Sequence, residues 1–265
     1  MQYFNKILNS VIAVANKVGS FQLDSSSKLK KSDIESKGLN DFVSFVDKQS
    51  ESMLIDELSE IIPNSSFLAE ESGKMYTESE WMWIVDPLDG TTNYIHGIPL
   101  YSISIALMKD GILQLAVIHE PNLNETFHAI SGGGAFVNGK PINIGNALCM
   151  KDSLWATGFP YYDFDKIDEY MDFIKYSIKH THGLRRLGSA AVDLAYTAAG
   201  RLDGFFEFGL KPWDVAAGAL IVQEAGGIVT DFLGKDGYIF NQEIIACNKM
   251  LYEEFYDNFK RIYFG

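Results

Sequence analysis

The segment from Trp213 to Ala225 reads WDVAAGALIVQEA, a helix-length run that is apolar nearly all round. A helix without a polar face has no side to turn to water, so this one must be buried among other elements. Its neighbours alternate. Strand-like runs near Leu154–Thr157, Leu184–Leu187, Gly204–Phe208 and Ile244–Cys247 interleave with helical patterns over Asp165–Tyr176, Ser189–Ala199 and the C-terminus. The N-terminal part is different. Helical periodicity in Met1–Gly19, and again from Asp47 to Ile62 before Pro63, precedes strand-like runs at Ser66–Ala69, Trp81–Val85, Tyr101–Met108 and Ile112–His119. Asp110-Gly111 marks a hairpin, and a further strand pair is expected over Glu125–Ile130 and Gly134–Val137, closed by Asn138-Gly139. Asp24–Asn40, polar and mixed in charge, reads as a helix end followed by a mobile loop. These elements specify a mixed α/β (α+β) class, with layered helices and sheets in two packed sub-lobes of about 1–150 and 151–265, within one domain spanning 1–265.

The chain has 265 residues, 47% of them hydrophobic and 22% charged, which excludes disordered and fibrous classes and allows a core without staples. Its 22 Lys and Arg against 35 Asp and Glu leave a net charge of −13. Such a balance repels phosphate backbones and anionic lipid, so neither nucleic acid nor a membrane is an expected partner. An anionic small substrate would need cations at its site. Cys149 and Cys247 show neither a disulfide framework nor a zinc spacing and read as small core hydrophobes. The first segment lacks a basic n-region and an A-x-A cleavage site, and is expected to be the amphipathic first helix of a cytoplasmic protein.

Chemistry concentrates in WIVDPLDGTTNY, Trp83 to Tyr94. An apolar strand runs into Asp86-Pro87-Leu88-Asp89, where Pro87 breaks the ladder and lets two carboxylates three residues apart turn the same way. Gly90, Thr91 and Thr92 add close backbone approach, hydroxyls and free amides. Carboxylates beside a nest of amides suit a phosphate bridged by Mg²⁺, while an ordinary polar turn capped by Asp and Thr accounts for the same residues. Three more acidic features add weight only if they converge in space. Glu70-Glu71-Ser72 follows a short strand, Asp214 opens the buried helix, and Asp41 and Asp47 bracket an apolar segment. Taken singly, Glu70-Glu71 reads as solvated surface, Asp214 as a helix-dipole partner and Asp47 as an N-cap.

Trp83–His96 (WIVDPLDGTTNYIH) resembles the first signature of the inositol monophosphatase family, and Trp213–Gly227 (WDVAAGALIVQEAGG) resembles the second. The EES at Glu70, the D-x-V-S-x-x-D at Asp41–Asp47, Gly188-Ser189-Ala190-Ala191 and Phe205-Phe206-Glu207 stand in the family's order. The resemblance implies a layered αβαβα sugar-phosphatase fold, a homodimer and lithium-sensitive hydrolysis of phosphomonoesters with two or three Mg²⁺ ions and a metal-activated water. It implies Glu70, Asp86, Asp89, Asp214 and the Leu88 carbonyl as metal ligands. Asp47, Thr91 and Glu70 are implied as the catalytic set. Asp89, Gly90, Thr91, Gly188, Ser189, Ala190, Glu207 and Asp214 are implied as contacts to the substrate. The expected substrate is a small phosphorylated polyol or sugar, foremost inositol 1-phosphate. Alternatives are fructose 1,6-bisphosphate, histidinol phosphate, 3′-phosphoadenosine 5′-phosphate, or a binding protein without turnover. Ser44 replaces the Thr common in the family's D-x-V-T but keeps a hydroxyl. Lys37 falls near the family's loop lysine, and Arg185, ahead of Arg186, near its interface arginine.

Overall fold

Helix α1 (Gln2–Ser26) buries Ile7, Leu8, Val11, Val14, Ala15 and Val18 at helical spacing, and runs a further two turns past the periodic stretch. The computed structural model describes residues 2–28, 34–38, 41–75, 79–160 and 164–265. Strands β1 (Ile34–Gly38) and β2 (Asp41–Ser44) form a small antiparallel ribbon, so part of the expected loop is a strand. Its sequence, IESKG, carries no apolar alternation, and pairing with β2 gives it its form. The side chains of Lys37 and Asp41 lie outside the described set. Helix α2 (Phe45–Ile61) follows directly.

Strands β3 (Ser66–Ala69), β4 (Gly73–Met75) and β5 (Trp81–Asp89) come next, then the short helix α3 (Thr91–Ile95). The meander β6 (Ser102–Lys109), β7 (Ile112–Glu120), β8 (Glu125–Ile130), β9 (Ala135–Val137) and β10 (Lys140–Ile142) completes an eight-stranded sheet of order β10-β9-β8-β7-β6-β5-β3-β4. Only the β3–β5 pairing in it is parallel. Asp110 and Gly111 both take positive φ (48° and 78°) between β6 and β7, the turn that matches strand twist. Asn138-Gly139 makes the same turn, but it joins β9 to β10 rather than closing the β8–β9 pair. That third strand, KPI, is too short to show a period.

Strand β11 (Leu154–Thr157), helix α4 (Ile167–His180), β12 (Gly183–Arg185), helix α5 (Ala190–Ala198), β13 (Gly204–Phe208), helix α6 (Pro212–Glu224), β14 (Ile228–Thr230), β15 (Glu243–Cys247) and helix α7 (Lys249–Tyr263) follow. Five of these strands form a second sheet of order β12-β11-β13-β15-β14, with β11 parallel to both β12 and β13.

Strand alternation then sorts the side chains into layers. Trp83 and Val85 meet α1 and α2 on one face of the large sheet, and Ile84 with Ala106 and Ile118 meets α5 and α6 on the other. Those two helices also receive Phe205, Ile244 and Ala246 from the second sheet. Phe206, Ile245 and Cys247 point away, into an aromatic layer with Phe173 of α4 and Phe255 and Phe259 of α7. The stacking is therefore αβαβα, and α6, apolar all round, lies between the two sheets. Cys247 is buried as expected, whereas Cys149 is half-buried with its Sγ 3.4 Å from Asp152 Oδ2, because it stands in the connection ahead of β11. Trp83 and Trp155 are core, and Trp81 and Trp213 only half-buried. Among the described residues no helix is long and apolar enough to cross a membrane.

Candidate active site

The C-terminal ends of β3, β5, β11 and β13 face the first turns of α5 and α6 across a cavity of about 240 Å³. Strand ends in sheets with parallel pairs are where ligands usually bind. Glu70, Asp86, Leu88, Asp89, Gly90, Thr91, Gly188, Ser189, Ala190, Glu207 and Asp214 all line it. Asp47, fully buried, stands directly behind Thr91. Residues from 47 to 214 are thus brought together by the layers rather than by proximity in the chain.

Each has a local cause. In β5 the ladder with β6 shifts between Asp86, opposite Ser104, and Asp89, opposite Ser102. Pro87 cannot donate there, and its carbonyl instead accepts from Gln22 Nε2 of α1 at 2.6 Å. The Leu88 amide donates back to Asp86 Oδ1 at 2.9 Å, fixing that carboxylate. Gly90 takes φ 100°, and a Cβ there would press on the Gly188 carbonyl at 3.1 Å, so glycine alone fits between the two walls. Ser44 is the N-cap of α2 and Asp47 its N3 residue, which corrects the reading of Asp47 as the cap itself. Asp47 Oδ2 accepts from the Ser44 amide (2.8 Å) and hydroxyl (2.6 Å), leaving Oδ1 for the Thr91 hydroxyl at 2.9 Å. The Thr91 hydroxyl also lies 3.0 Å from the Leu88 carbonyl. Asp214 occupies the same N3 position on α6 and accepts from the Lys211 amide at 2.7 Å.

Asp89 crosses to the opposite wall. Its Oδ2 accepts from the Ser189 hydroxyl and the Ala191 amide, both at 2.7 Å, at the start of α5. Ser189 is therefore engaged with the protein, and also caps Val192 at 3.2 Å. Glu70 follows β3 in a turn held to α2 by Glu51, whose carboxylate accepts from the amides of Glu71 (2.7 Å) and Ser72 (2.8 Å). Glu71, Ser72 and Arg185 are not part of the cavity lining. Arg185 and Arg186 are both exposed, but Arg186 lines the cavity and acts electrostatically on Asp89 and Glu207.

Burial raises Asp86, Asp89, Glu207 and Asp214, and repulsion adds to it at Asp86, Glu207 and Asp214. Burial, then repulsion from Glu70, Asp89 and Asp214, holds Asp86 well above the usual carboxylate range. Burial, then Asp89, pushes Asp214 up to about 7, and burial pushes Asp89 up to about 6 against the lowering by Ser189 and the α5 amides. Burial also raises Asp47, and it lifts Glu207 to about 8 despite Arg186. Among the described residues no three His, Cys, Asp or Glu side chains stand spread as a formed metal cage; Asp86 is hydrogen-bonded to Glu70 and to Asp214. The donors are nonetheless hard, anionic oxygens that repel one another, with a backbone carbonyl at Leu88 beside them, which is the set that Mg²⁺ takes. The residues fit such an ion.

Four contributors carry no motif signal: Glu51, Arg186, Gly158 and Asp193. Asp193, on α5, is a lone acid in AAVDLAYTA, and that break in an apolar helix is the one local sign of it. Gly158 lies against Glu207, where a Cβ would overlap the carboxylate.

The model of the inositol monophosphatase family matches residues 5–262. A Neisseria meningitidis serogroup B protein named putative Nus factor SuhB is 45% identical over 245 residues, 92% of this chain and 94% of the relative. The crystal structure of extragenic suppressor protein suhB from Bartonella henselae superposes with a TM-score of 0.92 at 37% identity, covering 97% of this chain and 99% of that one. Inositol monophosphatase from Anabaena gives 0.86 at 34% identity, over 98% and 97%.

Proposed function

The chain belongs to the inositol monophosphatase family, and from that premise we propose that it is a Mg²⁺-dependent phosphomonoester hydrolase acting on a small polyol phosphate, inositol 1-phosphate foremost. The observation that carries this reading is the convergence of Glu70, Asp86, Asp89 and Asp214 on one cavity in front of the Asp47–Thr91 hydrogen bond. In it, Glu70, Asp86, Asp89, Asp214 and the Leu88 carbonyl would hold two or three ions. Bound Mg²⁺ would supply the positive charge that a chain at −13 lacks, a lowered pKa for water and support for the departing alkoxide.

The chain's own groups do the rest. Asp47, braced by Ser44, keeps one oxygen on Thr91, and the pair orients a water and accepts its proton. Glu70, lining the same cavity, is a further acceptor. The amides of Gly90 and Thr91, at the first turn of α3, hold phosphate oxygens. Glu207 and the turn from Gly188 to Ala190 face the alcohol part of the ester. The same reading carries lithium sensitivity, a homodimer, a cytoplasmic location and no nucleic-acid or membrane partner, as the family resemblance implies.

A second reading rests on the relatives' names: a Nus-factor role, in which the fold serves a regulatory partner with or without turnover. One assay separates the two. Phosphate release is measured from inositol 1-phosphate beside the bisphosphate, histidinol phosphate and nucleotide esters, with Mg²⁺, with chelator and with Li⁺. The proposal expects Mg²⁺-dependent, Li⁺-sensitive release led by inositol 1-phosphate. Another leading ester moves the substrate claim, and no release from any ester overturns the enzymatic reading in favour of the regulatory one.

A further inference from the structure

Gln22 is fully buried, four residues after Val18 on the inner side of α1 and near the end of the helix. Its Nε2 donates to the Pro87 carbonyl at 2.6 Å and to Ser50 Oγ of α2 at 3.3 Å. Its backbone carbonyl accepts from the Tyr94 hydroxyl of α3 at 2.8 Å, and its neighbour Phe21 packs against the apolar cluster that holds Leu88 and Tyr94. One turn of α1 thus grips β5 just before Gly90 and α3 just after it. A carbonyl only accepts, so the amide has to turn its nitrogen to Pro87. That leaves Oε1 shielded, with no hydrogen-bond partner among the described residues. The fold bears the cost of one unpaired oxygen and receives one donor in return, and Pro87 is where that donor goes.

The Pro87 carbonyl and the Leu88 amide N–H belong to one planar peptide unit. Gln22 holds one end of that unit, and the other end donates to Asp86 Oδ1 at 2.9 Å. The proline ring fixes φ of Pro87 but neither its ψ nor the φ of Leu88, the two angles about which the unit turns. We propose that Gln22 is a positioning residue that, through this peptide unit, aims the Asp86 carboxylate and so sets the affinity of the site for Mg²⁺. This rests on the metal-binding reading above and extends it to a helix that contributes no side chain to the cavity lining. Without the Gln22 amide the unit is free to turn, and the Leu88 donor turns with it. Repulsion from Glu70, Asp89 and Asp214 then moves the Asp86 carboxylate out of place.

Mg²⁺ titrations of the wild type, Gln22→Met and Ser50→Ala test this, followed by phosphate release from inositol 1-phosphate and by the rise in Tm. Each chain is compared with its own metal-free Tm, which removes whatever the substitution does to stability alone. Gln22→Met keeps the length of the side chain and loses the donor. Its half-saturation should need about tenfold more Mg²⁺ in both readouts, with KM for the ester at saturating Mg²⁺ unchanged. Ser50→Ala removes the other contact of the same nitrogen and should bind Mg²⁺ as the wild type does. Equal half-saturation in Gln22→Met and the wild type overturns the proposal. So does an equal loss in Ser50→Ala, which would make the effect one of helix packing. Should Gln22→Met not fold, Gln22→Asn, whose shorter amide does not reach Pro87, takes its place under the same expectations. A wild type that binds Mg²⁺ but releases no phosphate refutes the phosphatase reading alone, and the Tm titrations still decide the role of Gln22. A wild type whose Tm does not respond to Mg²⁺ overturns the proposal.

Discussion

The two walls of the cavity hold their carboxylates in opposite ways. On the wall built from β5 and α2, Asp86, Asp89 and Asp47 each accept at least one backbone amide, and their positions follow from a broken ladder and a helix cap. On the wall built from α5 and β13, Asp193 has an oxygen with no donor among the described residues, and Glu207 is raised to about 8 by burial. The first wall is preorganised, so its groups stay in place whatever binds, as groups that act on a reacting phosphate require. On the second, the fold supplies no such donor to Asp193 Oδ1 among the described residues. The difference lies in whether backbone amides fix each carboxyl before anything binds.

Asp86→Asn tests the first wall most severely. It removes a carboxyl that Glu70, Asp89 and Asp214 repel while keeping the shape, and kcat should fall by on the order of 10³-fold or more with the fold intact. Turnover near that of the wild type in a Mg²⁺-dependent assay would end the assignment of this wall to the chemistry.

The second wall is tested through stability. Glu207 keeps a proton in the folded chain that the unfolded chain releases near pH 4.5, so its contribution is full below that value and is lost as pH rises through about 8. Glu207→Gln carries no charge at any pH. In Mg²⁺-free buffer its advantage over the wild type should therefore grow by roughly 3 kcal/mol between pH 5 and pH 8. Urea unfolding at the two pH values measures this, and a constant difference would show that Glu207 is no burden on the fold.

A smaller effect is expected at Ser44. Ser44→Ala removes the α2 cap, worth about 1 kcal/mol, and one of the two donors that brace Asp47, lowering kcat roughly tenfold. Ser44→Thr retains the hydroxyl and should restore both Tm and kcat. Equal losses in both variants would mean that the hydroxyl is not what holds Asp47.

Local readings left the first wall open between a metal-bridged phosphate and an ordinary polar turn, and the family resemblance chose between them, although the signals themselves are local. Proline after Asp86, glycine before Thr91 and a hydroxyl three residues ahead of Asp47 each constrain their own few residues. The same rules erred where pairing partners decide. The chain at Ile34–Gly38 is a strand only because β2 lies beside it, and Asn138-Gly139 closes a hairpin with a strand too short to show a period. Asp193, Arg186, Gly158 and Glu51 were out of reach for the same reason. Their significance lies in what they face across a gap, and nothing in their own sequence neighbourhood encodes it.

The amino-acid order fixed the period-2 and period-3.6 patterns, the all-apolar α6 and the caps that aim Asp47 and Asp214, because each is set by steric and hydrogen-bond rules acting within a turn or a strand. Folding alone determined that these elements meet. Placing α5 and α6 between two sheets brings residues from 47 to 214 to one cavity, and that concentration of buried charge is what raises Asp86, Asp214 and Glu207 together. Repulsion and desolvation depend on distance and burial, which exist only once the layers have packed.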